Sequence, residues 1–284
     1  MKELSPLAGH ARVIGLTGAP GAGKSTVTSA LVRAYRDQGL RVGVLAIDPT
    51  SPYTGGALLG DRIRMQDHAT DRDVFIRSMA NRGHLGGLAA ATPQVIRALD
   101  AARFDVILIE TVGVGQVEVE IASMADSVAV LVVPGMGDSV QAAKAGILEI
   151  ADVFVINKAD RPQVQQTIRH LRNMLALTER APGDWKPPIV TTIATTGDGI
   201  SELVGKLDAH WSWLDSSGER GRRRAARARE EVAALALSAL RSKMSRLPGD
   251  SALGPLADRV AEGQIDPYSA ADELLGALTD APDV

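Results

Sequence analysis

The chain has 284 residues, a formal charge of −3, five scattered histidines and no cysteine, so disulfides and thiolate metal sites are excluded and there is no global basic footprint for nucleic acid. No apolar run approaches the roughly 18 residues of a membrane span, and Met1 to Arg12 lacks the apolar core of a signal peptide, so a soluble cytoplasmic protein is expected. Aromatics make up 3%, which leaves the core to Val, Ile, Leu and Ala, the mixture of a parallel sheet flanked by helices.

Val13 to Thr17 reads as a short buried strand, and Thr26 to Asp37, with Val27, Leu31 and Tyr35 at helical spacing, as a helix. Between them Gly18-Ala19-Pro20-Gly21-Ala22-Gly23-Lys24-Ser25 fits G-x-x-x-x-G-K-S, the loop that cradles nucleotide phosphates. Its glycines let backbone N–H groups converge without a Cβ in the way, and the helix behind adds the positive end of its dipole. Gly21, Ala22, Gly23 and Thr26 would line the phosphates, Lys24 would reach the β/γ end, and Ser25 would ligate Mg²⁺.

Arg41 to Ile47 predicts a second buried strand ending on Asp48, followed by breakers from Pro49 to Gly56 that suit a switch segment and by a helix opening at Gly60 to Met65. Val74 to Met79 reads as a third strand, Gly83, Gly86 and Gly87 mark a mobile loop, and Pro93 lies just inside a helix that ends before Phe104. Phe104 to Ile109 is a strongly apolar strand running into Glu110-Thr111-Val112-Gly113. An acid at that place fits a carboxylate in the Mg²⁺ shell, and the Gly113 N–H could meet the γ-phosphate.

Ser127 to Pro134 predicts a further strand, Asp138 to Ile150 a helix, and Val153 to Ile156 a strand leading into Asn157-Lys158-Ala159-Asp160. That tetrapeptide selects guanine. The Asp160 carboxylate accepts from N1–H and the exocyclic N2 amine, a pair adenine lacks; Asn157 braces the loop and the Lys158 stem covers the base. Ile189 to Ala194 is the last strand, with the Ala194 N–H placed for guanine O6, and Gly199 to Asp215 closes the domain as a helix. Composition shifts at Ser216-Ser217-Gly218, which divides a nucleotide-binding domain, 1–217, from a helical arm, 218–284. Six of the ten residues from Arg220 to Arg229 are arginine, after which Val232, Ala236, Leu240 and Met244 share one face of a long helix. Two short helices follow, Pro267 lying just inside the last.

Taken together, these stretches, with Asp48-Pro49-Thr50-Ser51, Gly60-Asp61-Arg62-Ile63-Arg64-Met65, Pro134 to Asp138 and Asp266-Pro267-Tyr268, resemble the MeaB/ArgK family of P-loop GTPases. The resemblance implies an α/β fold, a mostly parallel sheet with helices on both faces and a C-terminal helical arm that contributes to a homodimer. It implies GTP/GDP and Mg²⁺ as ligands, with Asp48, Asp61 and Glu110 as acidic metal and switch residues. It makes Asp138, Gln141 and Lys144 a further switch facing a protein partner, an adenosylcobalamin-dependent acyl-CoA mutase whose cofactor loading the family gates. Lys24, Asp48, Glu110 and Lys144 are then the residues of the hydrolytic reaction. Val114 follows Gly113, where a water-positioning glutamine would stand in Ras-like proteins, so a slow GTPase set by its partner is expected. Two departures stand out: few residues precede the phosphate loop, and Ile193 replaces the usual serine beside Ala194. Three other readings compete: a transport-system protein kinase, a nickel-delivery GTPase, for which Cys and His ligands are lacking, and a binding module with a vestigial nucleotide site.

Overall fold

The computed structural model describes residues 3–49, 65–68, 70–81, 91–111, 121–135, 149–244 and 253–280. Packing divides the chain into two units, Met1–Gly221 and Arg222–Val284. The first holds seven strands, β1 (Arg12–Gly18), β2 (Val42–Pro49), β3 (Val74–Asn81), β4 (Val106–Thr111), β5 (Ser127–Val132), β6 (Val153–Asn157) and β7 (Ile189–Thr192), all parallel in the order β3-β2-β4-β1-β5-β6-β7.

Side chains alternate across the sheet, and both faces are covered, which is why the strands read as unbroken apolar runs. Ile14, Leu16, Val44, Leu108 and Leu131 point to one face, packed by α1 (Lys24–Asp37) and by α4 (Ile200–Ser216) through Val27, Leu31, Leu203 and Leu207. Val13, Leu45, Ile109, Val130 and Ile156 point to the other, against α2 (Thr92–Ala101) and α3 (Val164–Ala176) through Leu99, Leu171 and Leu175. Helix α3 has no counterpart among the expected elements, although Thr167, Leu171 and Leu175 are buried on one face at helical spacing. Glu110, expected just past the strand that ends at Ile109, lies within β4 and is 1% exposed. The helices expected at Gly60 to Met65 and Asp138 to Ile150, and the loop at Gly83 to Gly87, lie almost wholly outside the described residues.

Buried carboxylates tie down the amino-terminal edge of the sheet. Asp100 accepts the backbone N–H groups of Gly9 at 2.6 Å and of His10 and Ala11 at 3.0 Å, while Asp126 accepts from Val13 and Asp152 from Val128. His210 lies between Ser127 Oγ at 2.7 Å and Asp152 Oδ1 at 3.2 Å, and its ring stacks on Trp213. The second unit holds most of α5 (Glu219–Met244), then α6 (Leu253–Ala261) and α7 (Pro267–Asp280). A small core of Leu256, Ala270 and Leu274 forms there, joined by Met244, whereas Val232, Leu235, Leu237 and Leu240 of α5 are exposed. Among the described residues no helix is long and apolar enough to cross a membrane.

Tyr35 on α1 is fully buried and, among the described residues, its hydroxyl has no hydrogen-bond partner. Burial, then the charge of Asp208, raises its pKa above the ordinary tyrosine value, with Arg12 opposing. Removing an unmatched hydroxyl from an apolar site is neutral or favourable, so Tyr35→Phe should leave stability unchanged or raise it by about 1 kcal/mol. The neutral phenol is the form the fold favours. Its contribution is therefore complete below the unfolded-state value of 10.0 and is lost as pH rises above it, a loss the Phe variant should lack. Urea melts at neutral and alkaline pH check both; a Phe variant less stable by more than 1 kcal/mol would mean the hydroxyl is paired.

Candidate nucleotide site

Parallel strands bring their carboxyl ends to one edge, and there the chain places every described residue of the expected site. β1 is central, between β4 and β5, so the loop after it opens where crossovers leave the sheet in opposite directions. Gly18, Gly21 and Gly23 have φ of 138°, 76° and 87°, and α1 begins at Lys24 directly behind them. Lys24, 7% exposed, lies over the loop and donates through Nζ to the carbonyl of Gly18 at 2.6 Å and of Ala19 at 3.3 Å.

Ser25 Oγ donates to Glu110 Oε1, and both groups are buried. Leu16 of β1 is the register partner of Glu110, and Ile47 of β2 that of Thr111, so Asp48 stands one place further along the same edge. A hydroxyl against a carboxylate, both hard oxygen donors, is the chemistry Mg²⁺ takes beside a nucleotide phosphate, so the residues present fit that ion. Asp61, Gly113, Asp138, Gln141 and Lys144 lie outside the described residues.

The expected guanine loop reaches the phosphate loop directly. Asn157 closes β6, is 2% exposed, and donates through Nδ2 to the carbonyl of Ala22 at 2.9 Å. Its Oδ1 accepts from Thr192 Oγ1 at 3.1 Å and from the Ala194 N–H at 3.3 Å, so the N–H expected to meet guanine O6 turns toward Asn157. Lys158, at φ 59°, donates through Nζ to the Gly21 carbonyl at 2.8 Å. A left-handed backbone at a non-glycine residue persists only where its surroundings hold it, here by Ala159 N–H bonding Thr192 and by the lysine bond to the loop. Asp160 is exposed at the rim. A cavity of about 700 Å³ opens beside Ser25 and Thr26, walled opposite by Ala194, Thr195 and Gly197 and running along α1 past Ser29 and Arg33. Motif spacing supplied Asn157 and Lys24; nothing in the sequence signalled that Thr192 would hold the Asn157 amide or that Lys158 would hold Gly21.

Gly23 is where these parts crowd. A Cβ there would fall 2.4 Å from Asn157 Nδ2, on backbone that side chains rarely adopt. Gly23→Ala should cost ~1–3 kcal/mol of stability and push Asn157 off the Ala22 carbonyl, weakening GDP binding at least tenfold in calorimetric titration. Unchanged affinity would remove the close approach from the account.

The model of the family described as methylmalonyl-CoA mutase-associated GTPase MeaB matches residues 1–248. The chain is 50% identical over 278 residues to a Pyrococcus abyssi protein named "Putative GTPase", covering 97% of this chain and 86% of that one. It is 35% identical over 269 residues to the mouse mitochondrial methylmalonic aciduria type A homolog, covering 93% and 65%. A crystal structure of a LAO/AO transport system kinase superposes with a TM-score of 0.67 at 26% identity, covering 98% of this chain and 85% of that one. With the phosphate loop, the strand-end acid and the guanine loop gathered at one sheet edge, the chain belongs to the MeaB family of GTPases.

Proposed function

We propose that this protein hydrolyses GTP to GDP and phosphate slowly by itself, and that an adenosylcobalamin-dependent acyl-CoA mutase sets the rate while the protein gates loading of the mutase cofactor. The observation that carries the nucleotide part is the bond from Asn157 to the phosphate loop, which makes base reading and phosphate binding one structure. The partner follows from the family description and from the likeness to the methylmalonic aciduria type A homolog.

Lys24 would reach the β/γ-phosphates, and the exposed Asp160 would read guanine N1–H and N2. Ser25 and Glu110, with Asp48 and Asp61, would hold Mg²⁺. Bound there, the ion neutralises charge on the β- and γ-oxygens. Asp138, Gln141 and Lys144, at i, i+3 and i+6, fall close to one helical face, so a partner pressing on it would move them together and bring the Lys144 ammonium toward developing phosphate charge. The exposed Val232, Leu235, Leu237 and Leu240 of α5 suit a homodimer contact. The transport-kinase title of the solved relative supplies the second reading, in which phosphate passes to a protein.

Asp160→Asn exchanges one acceptor for a donor, so guanine binding should weaken by ~1–3 kcal/mol and xanthine nucleotides gain. Titration with GDP, ADP and XDP reads this; equal GDP and ADP affinity in the wild type would end the guanine assignment. Steady-state turnover of γ-labelled GTP, with and without mutase, tests the partner. Label should appear as free phosphate, faster with mutase, and Lys144→Ala should lose most of the acceleration; label on the partner protein would favour the kinase reading instead. Light scattering of a chain cut after Asp215 should find a monomer that still binds GDP, and a persisting dimer would return α5 to packing within one chain.

A further inference from the structure

Helix α3 turns to solvent a face on which all charge is positive. No Asp or Glu occurs from Arg161 through Thr178. Gln165, Arg169 and Arg172 stand at i, i+4 and i+7, a single helical face, and all are exposed, as is Arg161 in the loop before them. Among the described residues the guanidinium groups of Arg161, Arg169 and Arg172 make neither an ion pair nor a hydrogen bond. Elsewhere in the same unit Arg12, Arg33, Arg36, Arg41 and Arg220 each lie against a carboxylate, while among the described residues Arg72, Arg77 and Arg103 do not. The α3 arginines are thus an uncompensated group in a chain of net negative charge.

The face borders a cavity of about 650 Å³ between Arg161, Gln165, Gln166 and Arg169 on one side and Ala159 and Thr191 on the other. Just past the end of α3, Leu177 is 85% exposed. Guanidinium and amide donors around a groove, with an apolar anchor beyond it, match carboxylates interspersed with apolar side chains. Nucleic acid is the poorer match, because no Phe, Tyr or Trp occurs from Arg161 to Thr178 to offer bases a broad stacking platform and the chain as a whole is acidic. We propose that this face docks a carboxylate-rich segment of a protein partner.

The groove also touches the nucleotide site. Ala159 lies between Lys158, which holds Gly21, and Asp160. Gln163, at φ 75° before α3, reaches toward Gly135 after β5, where an added Cβ would fall 2.9 Å from its Oε1. A segment seated here would bear on the guanine loop and on the turn that leads to Asp138, and by linkage bound nucleotide would alter its affinity in return. Nothing in this depends on which partner the GTP cycle serves.

Fluorescence anisotropy with a labelled peptide of alternating glutamate and leucine tests the proposal, on the full chain loaded with GDP. The peptide should bind at low salt, and Arg169→Glu with Arg172→Glu should weaken it by about tenfold or more while leaving GDP affinity unchanged. A peptide with lysine in place of glutamate should not bind. Equal binding of the lysine peptide, or acidic-peptide affinity unmoved by the double substitution, would overturn the proposal. So would tighter binding of single-stranded RNA, and so would peptide binding that falls as protein concentration rises, which would assign the face to a second copy.

Discussion

A single amide holds the nucleotide site in shape. Asn157 donates to the Ala22 carbonyl of the phosphate loop and accepts from Thr192 and Ala194 of the last strand and its loop, so three segments distant in sequence meet on one buried side chain. Each satisfied bond there adds ~0.5–1.5 kcal/mol, but an unmatched amide at 2% exposure costs more, which makes the arrangement closer to all-or-none than graded. The phosphate loop then has its form from two sides: strand β1 and helix α1 along the chain, and Asn157 with Lys158 across it.

The two edges of the sheet use buried polar groups differently. At the amino-terminal edge Asp100, Asp126 and Asp152 each accept backbone N–H groups, and the bond between Ser127 and His210, with Asp152 beside the ring, ties β5 to α4. At the carboxyl edge Lys24, Ser25 and Glu110 meet one another and neighbouring carbonyls, partners that a triphosphate and Mg²⁺ can replace with like chemistry. Backbone donors are thus held at one edge, while the other edge gathers side chains of the kind that bind phosphate and hard cations.

Much of this was legible because the periodicities agree with burial. Runs such as Val106 to Ile109 are apolar without alternation because helices cover both faces of the sheet, whereas the edge strands β3 and β7 carry Arg77, Ser78, Thr191 and Thr192 and are less continuous. Helix α3 was missed because its exposed side is Gln and Arg and only Thr167, Leu171 and Leu175 are buried, too sparse a stripe beside the guanine motif that precedes it. Motif spacing pointed to Lys24, Ser25, Glu110 and Asn157, which the fold gathers at one edge of the sheet. The Lys158 bond to Gly21 and the Thr192 bond to Asn157 were not legible, because they join residues 137 and 35 positions apart through loop geometry that no local pattern records.

Asn157 and Lys158 tie the loop that follows β6 to the phosphate loop, so the form of one depends on the other. Hydrogen–deuterium exchange of the nucleotide-free protein tests it most directly, by comparing wild type with Asn157→Ala across the backbone from Gly18 to Ser25. With the bond to Ala22 gone, exchange through that stretch should speed about tenfold, the equivalent of ~1.4 kcal/mol, while strands β2 and β4 keep their protection. Unchanged exchange in the phosphate loop of the variant would contradict the account.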